Sequence, residues 1–364
     1  MIKSCYIHIP FCDDICSYCD FCKIYTNRKL VQQYLNCLEE EIKTNYQGEV
    51  LDTIYIGGGT PSVLTEEELE KLFSILSKLN RSNHLEYTME CNIESITLEK
   101  LQRMKQYGVN RISLGIQTID EETIQKLNRH HNKEMVMSQI NLIKNCGFQN
   151  INVDLMYAFP WESKEVFLKD LDFFLSLDVP HISTYSLIIE DHTVFGIRNL
   201  KPISEDIDFW MYQELCKKMK ELGYDHYEVS NFAKPNYESK HNLTYWNNLE
   251  YYGFGLGASG YVNQIRYENT KSFTKYLKKE YRLEEHLITK EEDMENECIL
   301  SLRKLDGISK DKFRDKFGVE LEQEFPVTSL LEKGLLCEKE NQVFIPEKNI
   351  YLSNDILIEF LHDN

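Results

Sequence analysis

The sequence predicts a parallel α/β fold on three observations. Short apolar runs alternate with longer amphipathic segments, the unit recurs six times, and several amphipathic segments open and close on helix-capping residues. Such a series builds either a barrel or an open doubly wound sheet, and periodicity alone does not separate the two. In both, the loops that follow the strands form the functional rim.

The elements follow in order. CYIHI (5–9) is the first candidate strand, and the stretch HIPFCDDICSYCDFCK continues directly from it into a loop. KLVQQYLNCLEEEIKTN carries the helical period. DTIYIGG (52–58) leads into Gly57-Gly58-Gly59-Thr60, and TEEELEKLFSILSKL opens on Thr65 followed by three acids, an N-cap signal. YTMECN (87–92) closes on Glu90 and Asn92, and TLEKLQRMKQYG stops at Gly108, a C-cap signal. RISLGIQ (111–117) ends at Gln117, and KEMVMSQINLIKNCG stops at Gly147. INVDLMYAF (151–159) holds Asp154 between Val153 and Leu155, where an unpaired carboxylate is costly. SKEVFLKDLDFFLSL and HISTYSLII (181–189) complete the series. The cysteine loop, the glycine turn, Glu90, Gln117 and Asp154 are thus expected at one mouth. Beyond about residue 270 the pattern turns charged and helical (KSFTKYLKKEYRLEEHL, EEDMENECILSLRKL, KDKFRDKFG, SLLEKGLL), with a short VFIP strand. The expected organisation is a large domain over 1–270 and a small, mainly helical, winged-helix-like domain over 271–364.

A formal charge of −18, from 59 acidic against 41 basic residues, opposes binding to nucleic acid and to anionic membrane surfaces. No apolar run has the length of a membrane span, and MIKSCYIHIP lacks the features of a signal peptide. A cytoplasmic chain is expected, in which stable disulfides are disfavoured. Of the 11 cysteines, Cys5, Cys37, Cys91, Cys146, Cys216, Cys298 and Cys337 are scattered through apolar or helical patterns and read as small buried hydrophobes.

Cys12, Cys16, Cys19 and Cys22 are different, because they share one loop. A disulfide knot, a zinc site and an iron–sulfur cluster compete. Cys-x3-Cys-x2-Cys is unusual for zinc, whose paired knuckles lie well apart, whereas thiolate-bound clusters tolerate such spacing, so the spacing favours the cluster over zinc. Three thiolates on a 4Fe–4S cluster leave one iron open to a cofactor. Recruitment of Cys22 would close the coordination and leave only electron transfer.

The stretches YIHIPFC, YCDF, GGGTPS, ECN, RISLGIQ, NRHH, DLMYAFP and YEVSNFA occur in one order. Together they resemble the radical S-adenosylmethionine (SAM) superfamily, in particular its coproporphyrinogen III oxidase-like branch, over nearly the whole chain. The resemblance implies a partial (β/α)6 barrel and both a 4Fe–4S cluster and SAM as cofactors. Cys12, Cys16 and Cys19 would bind the cluster, with Tyr6 close by and Tyr18 packed against a cofactor. Gly58, Gly59 and Thr60 would present backbone N–H groups to the methionyl end of SAM, and Glu90 would accept from its amino group. Gln117, Arg129 and Asp154 match positions that contact a second SAM. Reduction of such a cluster would cleave SAM to methionine and a 5′-deoxyadenosyl radical, so an electron donor is an implied partner.

Two functions follow from that branch. One is a haem chaperone that binds haem and delivers it to acceptor proteins. The other is an oxygen-independent coproporphyrinogen III oxidase, which decarboxylates two propionates, and a diverged enzyme acting on another substrate is a third possibility. KHNLTYWNN (240–248) carries the HNxxYW motif of the chaperones, which makes His241, Tyr245 and Trp246 candidate haem contacts. The Asp20-Phe21-Cys22 spacing and the short segment before Cys12 also favour the chaperone. The sequence departs from the branch at Ala158-Phe159-Pro160, where a small-Gly-Leu-Pro turn is usual, at Ile93 and at Ser259.

Overall fold

The computed structural model describes residues 1–362. Six strands lie side by side in chain order, each parallel to the next: β1 (Ser4–Ile9), β2 (Leu51–Gly58), β3 (Arg81–Asn92), β4 (Arg111–Gln117), β5 (Asn150–Tyr157) and β6 (His181–Ser186). The helices Arg28–Asn45, Glu66–Leu76, Leu98–Gln106, Lys133–Asn145 and Lys164–Ser176 connect them, as the alternation predicts. Three further strands extend the sheet: β7 (Asp225–Glu228), β8 (Asn231–Ala233) and β9 (Tyr252–Phe254). The order is β9-β1-β2-β3-β4-β5-β6-β8-β7, with β8 antiparallel to both neighbours. Sequence periodicity shows none of these three, because each is only three or four residues long.

The two faces of this sheet differ in chemistry. Ile54, Ile56, Met89, Ile112, Leu114, Val153 and Leu155 point outward into the main apolar core. The alternate positions, including Tyr55, Glu90, Ser113, Asn152, Asp154 and Ser183, point inward and are polar. Parallel strands buried on both faces are usually apolar throughout. A polar inner face therefore marks a barrel that encloses a site rather than a packed core.

Local chemistry fixes the connections. Thr65 and Glu68 form a reciprocal capping box, with Thr65 N–H donating to Glu68 Oε2 at 2.9 Å and Glu68 N–H to Thr65 Oγ1 at 3.3 Å. Gly108 and Gly147 follow their helices at φ +91° and +82°, where glycine carries no Cβ penalty. Ala158, just after β5, has φ +63°. An L-residue there costs roughly 1–2 kcal/mol, partly offset in the unfolded chain by alanine's smaller entropy. Ala158→Gly is thus expected to stabilise the protein by about 0.5–1 kcal/mol, measured by chemical denaturation; a loss of stability would contradict the strain argument.

Beyond the barrel, β10 (Ser259–Val262), β11 (Ile265–Asn269) and β12 (Arg282–Leu287) form an antiparallel sheet. This corrects the helical expectation for KSFTKYLKKEYRLEEHL, which is helical only over Phe273–Leu277. Nearly every side chain of β12 is exposed, so the strand shows no apolar pattern in sequence. A second core runs from Met294 to Phe360. It joins the helices Lys290–Ser301, Lys310–Phe317 and Val327–Glu332 to a small sheet of Ile308–Ser309, Cys337–Lys339 and Gln342–Phe344.

Candidate cluster and cofactor cavity

The loop after β1 is clamped at both ends. Phe11–Cys12 pairs with Ile24–Tyr25, and Ile24 N–H donates to Pro10 O at 2.7 Å while Thr26 N–H donates to Cys12 O at 2.9 Å. Further along, Ser17 N–H donates to Leu127 O at 3.1 Å, and Asn128 Nδ2 to Ile15 O at 3.0 Å. Tyr18 packs against an apolar cluster that includes Leu127, Met156, Phe159 and Phe195. These contacts turn Cys12, Cys16 and Cys19 toward a cavity of about 450 Å³ at the mouth of the barrel.

Tyr18, Gly58, Gly59, Thr60, Glu90, Gln117, Arg129 and Asp154 line the same cavity, so the structure gathers most of the predicted site. Thr60 Oγ1 donates to Cys12 Sγ at 3.6 Å and Arg129 Nη1 to Cys16 Sγ at 3.5 Å. Burial pushes the Cys12 thiol up to about 11, although the Thr60 hydroxyl pulls it down. The glycine turn admits no side chains. A Cβ on Gly57 would lie 2.8 Å from the Glu90 carboxyl, and one on Gly59 would lie 2.8 Å from Phe11 O. Gly58 has φ +113°, and a Cβ there would lie 2.5 Å from the His8 ring.

Gln117 has φ +75° at an irregularity where β4 pairs with β5. Its Oε1 is buried without a partner, as is Arg129 Nε beside it. A strained backbone and orphaned polar atoms on one cavity wall are what a missing polar ligand would satisfy. Among the described residues no group of three or more His, Cys, Asp or Glu could hold a single metal ion. A cubane differs, because each thiolate binds its own iron and the ligands stay spread. Three thiols, a backbone cradle adjoining Cys12 and unpaired polar groups on the same cavity fit a cluster with an open iron and a bound zwitterionic cofactor.

Glu90 and Asp154 give the cavity a titrating character. Glu90 accepts from Tyr55 OH at 2.8 Å and from Gly58 N–H at 3.0 Å. Burial still raises it to about 7, against the pull of those hydrogen bonds. Asp154 accepts from Asn152 Nδ2 at 2.8 Å, and burial raises it to about 6. A carboxyl raised on folding stabilises the fold fully below its unfolded pKa, and that contribution disappears as pH rises through the folded value. For Glu90 the window runs from about 4.5 to about 7. Over that range ligand-free protein is expected to lose on the order of 3 kcal/mol to Glu90 ionisation. Glu90→Gln should flatten this part of the pH profile of thermal melting; an unaltered slope would show that Glu90 ionises freely.

Four predicted residues lie outside the cavity wall. Tyr6 is held beneath the mouth, hydrogen-bonded to His8 Nδ1 at 3.0 Å. His241, which the motif offers as a candidate haem contact, packs inside the protein beneath the cavity. The ring is 1% exposed, with Nδ1 bonded to Thr53 Oγ1 and Nε2 to Tyr245 OH, each at 2.8 Å. It also stacks on Tyr55 at 5.0 Å between centroids. Both ring nitrogens are engaged in these bonds, and burial lowers the ring's pKa to about 3. Tyr245 completes this packing, and Trp246 lies outside the cavity wall near Arg303. The helix Lys240–Trp246 thus braces the floor of the barrel, and Asn242, next to His241, is the motif residue that reaches the cavity.

Cys22 also lies off the cavity wall. It packs against Gly257, and its carbonyl accepts from His8 Nε2 at 2.7 Å. Sequence reasoning missed Tyr55, Arg111, Asn152, His181 and Tyr185 as wall residues. The signal for them was polar residues at every second strand position, beginning with Arg111 and Ser113.

Comparison with known proteins identifies the class first. The Radical SAM superfamily model matches residues 6–174, and the HemN C-terminal domain model matches residues 288–352. The solved structure of coproporphyrinogen III oxidase (HemN) from Escherichia coli superposes with a TM-score of 0.88 at 22% identity, covering 99% of this chain and 90% of that one. The fold is therefore the radical SAM α/β fold, and that superfamily implies a 4Fe–4S cluster and SAM. Within it, the chain belongs to the HemW family. It is 40% identical to the heme chaperone HemW of Lactococcus lactis, over 100% of this chain and 98% of that protein. It is 39% identical to HemW of Bacillus subtilis, over 99% of both. No helix among the described residues is long and apolar enough to cross a membrane.

Proposed function

We propose that this protein is a haem chaperone: it binds a 4Fe–4S cluster, SAM and haem, and passes haem to acceptor haemoproteins. The observation that carries the reading is end-to-end similarity, at 40% and 39% identity, to two proteins named as heme chaperones. The cavity supports the cofactor half of it. Cys12, Cys16 and Cys19 would hold the cluster, and the Gly58–Thr60 turn with Glu90 would hold the methionyl end of SAM. Gln117, Arg129 and Asp154 would contact a second SAM. When bound, these groups supply one-electron cleavage of SAM, and an electron donor is then a required partner. The chain's own residues would position the thiolates and, at Glu90, accept from the cofactor's ammonium. A cytoplasmic setting suits reduced thiols. The division into a barrel domain over 1–270 and a smaller C-terminal domain over 271–364 is part of the same proposal.

The oxidase reading is favoured by the fold match to HemN and by the position of Gln117, Arg129 and Asp154 on the cavity wall. Mass spectrometry after anaerobic incubation with coproporphyrinogen III, SAM and reductant separates the two. The chaperone reading predicts unchanged coproporphyrinogen; loss of two carboxyl groups as carbon dioxide would establish the oxidase.

A further inference from the structure

We propose that the floor of the barrel cavity is a carboxylate-binding subsite built on Arg111, with Asn242 beside it. The inference rests on the cofactor and haem reading above and names a recognition element within that site.

Arg111 opens β4 and is 2% exposed, yet it forms part of the cavity wall. A guanidinium taken out of water costs several kcal/mol unless a counter-charge meets it. Among the described residues no carboxylate lies within 4.0 Å of it, so it forms no ion pair. Only Nη1 is engaged, donating to Asn150 Oδ1 at 2.6 Å and to Tyr237 O at 3.3 Å. The other N–H groups have no protein acceptor. Asp154 feels Arg111 through space without touching it.

Around this cation Ser113, Asn152 and His181 form an organised neutral network, while the carboxylates of Asp154, Glu86 and Glu228 act on the region through space without contacting the guanidinium. Strand register sets Ser113 beside Asn152 and Asn152 beside His181. Asn152 Nδ2 donates to Ser113 Oγ at 2.8 Å, and its Oδ1 meets His181 Nδ1 at 2.6 Å. His181 Nε2 pairs with Tyr227 OH at 2.8 Å, and burial followed by the Arg111 charge keeps the ring neutral. These groups satisfy one another and do not neutralise Arg111. Asn242 enters from the helix Lys240–Trp246 with a side-chain amide that has no protein partner. A buried planar fork with free donors, on the same cavity wall as a free amide, is complementary to a planar anion with two oxygens. The ligand class is a carboxylate, and two sources carry one: a propionate arm of a tetrapyrrole and the α-carboxylate of a second SAM bound deep in the barrel.

The test uses anaerobically loaded full-length protein, with haem, haem dimethyl ester and SAM as probes. If the propionate is the source, wild-type protein binds haem at least about tenfold tighter than its diester. Arg111→Gln then abolishes that preference and Arg111→Lys keeps part of it. If SAM is the source, Arg111→Gln lowers SAM affinity about tenfold in equilibrium dialysis and leaves the haem-to-ester ratio unchanged. An unchanged ratio together with unchanged SAM affinity overturns the proposal and leaves Arg111 as a plug of the barrel floor. Circular dichroism checks folding. Should Arg111→Gln not fold, Asn242→Asp decides, because a new carboxylate on the floor should repel the ligand about tenfold and unchanged affinity overturns the subsite. Wild-type protein that binds no haem at all would instead refute the chaperone reading, while the SAM arm still decides this one.

Discussion

Cys12→Ala, Cys16→Ala and Cys19→Ala are each expected to reduce cluster iron after anaerobic reconstitution to near background, whereas Cys22→Ala retains the wild-type content. The difference follows from where the thiols point. The first three line one wall of the cavity, and the loop that carries them is fixed by the Phe11–Cys12 bridge and by contacts to Leu127 and Asn128. Cys22 belongs to the same loop but packs on Gly257 behind it, with its backbone carbonyl held by His8. Loss of one of three thiolates leaves a second iron without a protein ligand, and such clusters depend on cysteine thiolates for their retention. Iron and sulfide analysis with the 400 nm absorbance measures the outcome. Iron loss in Cys22→Ala equal to that in Cys12→Ala would mean that the loop rearranges to a four-cysteine site.

Gly58→Ala is expected to cost roughly 3 kcal/mol of stability and to weaken SAM binding by at least about tenfold. At φ +113° the backbone lies in a region that only glycine occupies cheaply, and strain there costs about 1–3 kcal/mol. The added methyl would also approach the His8 ring to 2.5 Å. That ring cannot swing aside, because Tyr6 OH and Cys22 O hold its two nitrogens at 3.0 and 2.7 Å. The strain therefore falls on the turn itself, and with it on the Gly58 N–H that anchors Glu90. Thermal melting and equilibrium dialysis with SAM read the two effects separately. A variant with unchanged melting temperature would refute the packing argument, and one with unchanged SAM affinity would remove the turn from the cofactor site.

Much of the barrel was legible because its physics is local. The six strand–helix units show in alternating periodicity, and caps such as Thr65 and Gly108 mark helix ends through single residues. The cluster loop was legible from thiol spacing. Most of the candidate cofactor residues come from motif resemblance, and they line one cavity. What failed depended on long-range pairing. The strands β7 to β9 are too short to show a period, and β12 is stabilised by its partner rather than by an apolar face. His241 illustrates the same limit within a site. Sequence shows an imidazole beside aromatics, and only the fold reveals that Thr53 and Tyr245, 188 and 4 residues away, occupy both its nitrogens. Arg111 was read simply as the start of a strand, since its lack of a counter-charge appears only once every neighbour is placed.

The central claim is that the cluster-loaded protein carries haem as cargo, and a Soret titration of anaerobically reconstituted protein with haem tests it most directly. The account predicts a saturable spectral shift that ends at a fixed stoichiometry and persists with SAM present. A Soret band that grows without saturation, matching free haem in buffer, would contradict it.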